Sequence, residues 1–127
     1  MDINKIFELF KGNDSPNEVY ANFEDHPLYF IKMFIKIHQN QKEVHNIVSK
    51  AISNKETDKE LAEYVSNVRA FHYLSKLDLS QQTSLEILKS NSSPEFIQII
   101  DYSMRYFEDL EYYENCAFLK KVKEILL

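Results

Sequence analysis

"RYFEDLEYYENCAFLKKVKEIL", residues 105–126, contains neither glycine nor proline, is rich in aromatic residues and ends in a basic stretch. Together with "SSPEF" at 92–96 it decides the architecture, because the segment is either one very long helix or the two arms of a hairpin. Ser93 is suited to an N-cap, and Pro94 fits a first helical turn, where its missing N–H has no partner to lose. A single helix from Pro94 to Leu126 would be about 50 Å long at a rise of ~1.5 Å per residue. A folded chain of 127 residues is only about 35 Å across, from a radius of gyration near 14 Å. Within "FEDLEYYE" the apolar stripe also loses phase. Ile100, Met104, Phe107 and Leu110 run together, whereas Tyr113, Ala117 and Leu119 follow a shifted register. These observations predict a break within 108–112, a new N-cap at Asp109 and a terminal helical hairpin.

Helix starts are equally readable upstream. "DINKIFELFKG" begins at Asp2, places Ile3, Ile6, Phe7, Leu9 and Phe10 at helical spacing and stops at Gly12. "SPNE" at 15–18 combines an N-cap serine, a proline and a glutamate three residues after the cap, opening a short helix with Val19, Tyr20 and Phe23 inward. "HPLYFIKMFIKIHQ" restarts at Pro27 and is apolar almost all round, which assigns it to the centre of the core. Asn40 with Glu43, and Thr57 with Glu60, are cap-like pairs ahead of two further helices. The second of these carries Leu61, Tyr64, Val65, Val68, Phe71, His72 and Leu74. A shorter helix is expected from Thr83 to Lys89 after a Ser80 cap. Strand-like alternation is nowhere sustained. The expectation is one all-α domain over 1–127, a bundle of six to eight helices.

Composition agrees with that class. The chain is 44% hydrophobic and 28% charged, and one glycine with three prolines supply few of the turn residues that β folds use. "PLYFIKMFIKI" carries two lysines and is far short of the ~20 apolar residues a bilayer span needs. No basic leader is seen, and Cys116 is the single cysteine, so a cytoplasmic location is expected. Thirteen lysines against two arginines, with abundant isoleucine and asparagine, is the bias an AT-rich genome imposes, which fits a low-GC bacterium or a phage.

The net charge of −5 gives no reason to expect nucleic acid. It is concentrated: between Glu95 and Glu114 six acids face one base, Arg105, before Lys120, Lys121 and Lys123 follow. Tyr102, Tyr106, Tyr112 and Tyr113, with Phe107 and Phe118, are too many for one inward stripe, so some must reach the surface. Exposed aromatics beside acids favour a protein-binding patch. The candidate interaction surface is therefore Asp101, Tyr102, Arg105, Tyr106, Glu108, Asp109, Tyr112 and Tyr113, with another protein or a second copy as partner.

Catalytic and metal chemistry lack their usual arrangements. No His pair at i, i+4 and no Glu-x-x-His occurs, although His38 and His45 lie seven apart, so neither metal nor cofactor is expected. Gly12 stands alone, which excludes a glycine-rich phosphate loop. The competing expectation is a ligand-binding or enzymatic helical domain with a pocket lined by His38, His45, His72 and Cys116. A third is an acidic mimic of nucleic acid, which the interspersed lysines dilute.

"YYENCAFLKKVKEIL", residues 112–126, is similar to the second helix of the UVR motif. The matching positions are Tyr113-Glu114, Cys116-Ala117, Leu119 and Lys120. It also resembles the turn and second helix of a tetratricopeptide unit, with Glu111 where that repeat has glycine and no second copy in the chain. Either resemblance implies protein–protein binding. "FIKMFIKIHQN" followed by "YVSNVRAFHYLSKL" resembles the small clamp-loader subunits of T4-like phages, which would imply a replication accessory role. The Asn-Arg pair and the basic cluster of those subunits are missing. The principal expectation is a small non-enzymatic interaction or adaptor protein.

Overall fold

The computed structural model describes residues 23–51 and 55–127; for Val44, Val48, Ala51 and residues 55–58 only the backbone is described. The helices expected at Asp2–Gly12 and from Ser15 lie outside these residues. A 3₁₀ turn at Phe23–Asp25 leads into six α-helices: α1 Pro27–Gln39, α2 Gln41–Ala51, α3 Lys55–Leu74, α4 Gln82–Ser90, α5 Pro94–Asp109 and α6 Tyr113–Leu126. No strand occurs among the described residues, and the all-α bundle is as expected.

α1 starts where proline places it. His26 is its N-cap, accepting the Leu28 N–H on Nδ1 at 3.0 Å, and Pro27 fills the first turn. Tyr29, Phe30, Ile31, Met33, Phe34 and Ile37 are buried, and the helix lies against α3, α4 and α5. It is the centre of the core, as its all-round apolarity requires. Asn40 is the whole joint to α2. Its N–H closes α1 on the Lys36 carbonyl (3.0 Å), and its own carbonyl accepts the Glu43 N–H (2.9 Å).

α3 departs from expectation at its start, and its buried face is made largely of small residues. Its backbone is helical from Lys55, so Thr57 lies inside the first turn instead of capping it. Its buried stripe is Ala62, Ser66, Asn67, Ala70 and Leu74, while Leu61, Tyr64 and His72 are exposed. The large side chains of α1 set this choice. α3 lies along both α1 and α2, and Ala70 and Leu74 join Phe30, Met33 and Phe34 in one core cluster, where a small residue on the ridge lets the large side chains of α1 fill the interior.

The link to α4 corrects another cap. Ser80 donates its N–H to Asp78 Oδ1 (3.0 Å), and Gln81 occupies the N-cap position without a side-chain bond. Just upstream, the Lys76 ammonium sits 5.7 Å from the Phe30 ring centre and 5.2 Å from that of Tyr73. The serine-proline cap of α5 forms as read: Ser93 Oγ accepts the Phe96 N–H at 3.1 Å. α5 then buries Phe96, Ile100, Ser103 and Phe107 along one face. Each apolar residue in that row contributes about 1.5–3 kcal/mol.

The hairpin is present, with its break at 110–112. Asp109 is the last residue of α5, not the cap of α6. The Tyr112 N–H reaches back to the Phe107 carbonyl (2.9 Å) and the Glu111 N–H to that of Glu108 (3.0 Å), the two bonds of a Schellman ending. Glu111 holds the left-handed position at φ 63°. A side chain there costs about 1 kcal/mol relative to glycine. α6 returns antiparallel to α5. Lys123 Nζ meets Asp101 Oδ1 at 2.7 Å, and the Cys116 thiol donates to the Met104 carbonyl at 3.5 Å. Phe71 of α3 packs edge-on against Phe107 (5.5 Å) and Phe118 (5.7 Å), tying the hairpin to the bundle.

Candidate interaction surface

The Schellman turn places Tyr112. Its ring stacks on Phe107 at 5.9 Å with an 18° interplanar angle, so the helix-ending motif also provides the apolar contact that usually accompanies it. From that position the Tyr112 hydroxyl lies 3.2 Å from the hydroxyl of Tyr64, on α3. Both rings stay partly in water, 39% and 38% exposed. The hydrogen bond to Tyr64, followed by the charge of the neighbouring phenol, raises the Tyr112 pKa above its ordinary value.

Tyr106 joins them one turn up α5. Its ring packs edge-on against Phe107 at 5.6 Å and is half-buried. Burial, then the negative charge of Glu63 and the phenols of Tyr102, Tyr64 and Tyr112, push its pKa up to about 12. Tyr64 of α3, Tyr102 and Tyr106 of α5 and Tyr112 of the hairpin turn thus form one seam. Tyr102 is its far member, 40% exposed and edge-on to His38 at 5.9 Å.

The eight residues expected to form one surface divide around α5. Tyr102, Tyr106 and Tyr112 belong to the seam on the α3 side. Asp101 pairs with Lys123 of α6, and Glu108 is near enough to Cys116 to help raise its thiol pKa, burial being the larger cause. Arg105 and Asp109 are exposed, and Tyr113, the first residue of α6, is 66% exposed. Sequence reasoning missed Tyr64 and Glu63. Tyr64 recurs at helical spacing with the apolar residues of its helix, so the local pattern gives no sign that its ring meets Tyr112. Leu110, at the hairpin tip, is also exposed, among Glu108, Asp109, Glu111 and Glu114.

A second feature lies at the other end of α5. An open groove of about 390 Å³ is lined by His38 and Gln39 at the end of α1, Gln41 at the start of α2, and Gln98, Ile99 and Tyr102 of α5. Glu95 completes it and accepts a hydrogen bond from Gln39 Nε2 at 2.7 Å, linking α1 to α5 across the lining. His38 packs edge-on to Phe34 at 4.9 Å. Both its ring nitrogens are sealed from solvent and lack a hydrogen-bond partner among the described residues. Burial pushes its pKa down to about 4, so the ring is neutral at pH 7.

Of the four residues considered for a shared pocket, His38 alone lines this groove. His72 is exposed on α3, His45 is on α2, and Cys116 is inside the hairpin. The Cys116 thiol has a raised pKa, the opposite of what an activated nucleophile needs. No group of three or more His, Cys, Asp or Glu side chains suited to a metal ion occurs among the described residues. No described helix is long and apolar enough to cross a membrane. No family model matches the chain, and neither a curated protein nor a solved structure matches it.

Proposed function

We propose that this chain is a small non-enzymatic interaction or adaptor protein that binds through the tyrosine seam and the acidic hairpin tip. The observation that carries the reading is the Tyr64–Tyr112 contact, which gathers partly exposed phenols from α3 and the hairpin turn into one patch. Tyrosine suits such a patch because its ring buries a large apolar area at small entropic cost while its hydroxyl stays hydrated. Around it, Glu108, Asp109 and Glu111 supply an exposed acidic rim. The proposed setting is the cytoplasm of a low-GC bacterium, or of such a cell infected by a phage that carries the gene.

The test uses the variant Tyr102→Ser/Leu110→Ser/Tyr113→Ser, whose three positions are exposed. The expected outcome is an unchanged circular dichroism spectrum and melting temperature within about 3 °C, as for surface changes. Association should be lost, read as solution mass by light scattering and as specific capture with the chain as bait. Capture or self-association that survives the triple substitution would remove the seam and tip from consideration.

A further inference from the structure

The groove at the start of α5 is separate from the hairpin tip, and its chemistry is more selective. Its volume of about 390 Å³ lies within the range of small-ligand sites, roughly 300–1,000 Å³. Glu95 is the one ionised side chain among the described lining residues, and no lysine or arginine joins it. Gln39, Gln41 and Gln98 add amide carbonyls that accept hydrogen bonds, and Tyr102 adds an aromatic ring. The N-terminal dipole of α5 would by itself favour an anion. Here Ser93 Oγ has already taken the Phe96 N–H, and Glu95 occupies the first turn. The remaining character is that of a cation site: one carboxylate, several carbonyls and a π-face.

The fold also holds these groups in place. His38 braces the Tyr102 ring edge-on at 5.9 Å, Phe34 braces His38 at 4.9 Å, and Gln39 holds the Glu95 carboxylate at 2.7 Å. A carboxylate offers about four lone-pair positions, so the Gln39 bond leaves Glu95 free to accept more. Because His38 is kept neutral by burial, it adds no positive charge beside the groove near pH 7.

We propose that this groove binds a small organic cation, an alkylammonium or guanidinium group, with Glu95 as counter-ion and Tyr102 as the aromatic wall. Tyr102 is shared with the seam, but the inference does not depend on the seam being an interface, and Glu95→Gln tests the groove alone. The cation is either a free amine or the side chain of a lysine or arginine on another protein, and the two sources present the same chemistry.

Amide chemical shifts of the full chain, titrated at near-physiological salt, distinguish the cases. Agmatine is the probe, with butyrate and butanol as anionic and neutral controls, and an end-capped arginine peptide represents the protein source. Agmatine should shift Gln39, Glu95, Gln98, Ile99 and Tyr102 saturably, with no comparable effect from either control. Glu95→Gln should weaken binding about tenfold, by loss of a charge-assisted contact. Tyr102→Leu should weaken it about threefold, the size of an exposed cation–π contact. Both residues are solvent-accessible, so each variant is checked for an unchanged spectrum before titration. Binding of the capped peptide at least as tight as that of agmatine identifies a protein side chain as the source. Agmatine binding without the peptide identifies a free amine. Equal shifts from agmatine and butanol, an affinity unchanged by Glu95→Gln, or no saturable shift at all would overturn the proposal.

Discussion

α3 meets the rest of the bundle through two faces made on opposite principles. Toward α1 and α2 it offers a buried stripe of Ala62, Ser66 and Ala70, side chains so small that they add little to the packed volume. Toward the hairpin it offers Tyr64 and Phe71, which reach across to Tyr112, Phe107 and Phe118. The first contact is dry and intolerant of added volume, because a ridge of small residues leaves no space to yield. The second is aromatic and partly wet, and its hydroxyls lie where water can replace a lost partner. Identity at the first face is therefore fixed by size. At the second it is open to selection for something other than folding.

The largest test of this contrast is pH. His38, on α1, is as dry as the first face although it lies toward α5: both ring nitrogens are sealed from solvent, and it is neutral, with a pKa of about 4 in the fold against 6.5 in the unfolded chain. Between those two pH values the unfolded state binds the proton and the folded state does not, so stability falls as pH falls through that window. The loss should reach roughly 3 kcal/mol at pH 4 and vanish above about pH 6.5. Urea melts at intervals from pH 4 to 7 would measure it, and His38→Phe should remove most of the slope. His26, whose pKa is also lowered by burial, leaves a smaller slope of the same sign.

Next in size, Ala70→Leu adds volume to the dry face where exposure is zero. It should destabilise by about 2 kcal/mol, as overpacking does, with a clear drop in the denaturant midpoint. A change below about 0.5 kcal/mol, typical of a surface site, would mean the ridge is not close-packed against α1. At the turn, Glu111→Gly should raise stability by about 1 kcal/mol by relieving the positive-φ cost. A melting temperature that rises with the amide pattern of α5 and α6 unchanged would confirm that the Schellman ending is kept. The smallest effect belongs to the wet face. Tyr64→Phe should cost under about 0.5 kcal/mol, yet lower the Tyr112 pKa toward its ordinary value, because the hydrogen bond that raises it is gone. A spectrophotometric tyrosinate titration reads that shift directly.

What could be read from the chain follows the range of the interactions. Ser93-Pro94 and Pro27 were legible because a cap and a proline act within one turn. The break near residue 110 was legible because helix length and stripe phase both demand it. Its mechanism was not, since Glu111 gives no sign of a left-handed residue where a glycine would have announced one. Thr57 and Ser80 are cap-type residues with acids or turns nearby, yet the backbone starts one helix earlier and gives the Ser80 N–H to Asp78. The inward face of α3 was not legible, because alanine and serine weigh little beside leucine and tyrosine until the bulk of α1 is set against them. For the same reason Tyr64 was hidden, its partner lying 48 positions away. The groove joins the end of α1 to the start of α5 and has no local signature at all.

Glu111 makes the hairpin tip a place where folding and use can be told apart by selection. In a library of all substitutions at this position, a screen for folded protein alone should enrich glycine and then asparagine, the residues that enter left-handed backbone most cheaply. A screen for partner capture has no such preference built into it. If glutamate prevails there, its carboxylate is retained for what it meets outside the chain, and the disparity between the two enrichments measures how strongly that encounter constrains the turn.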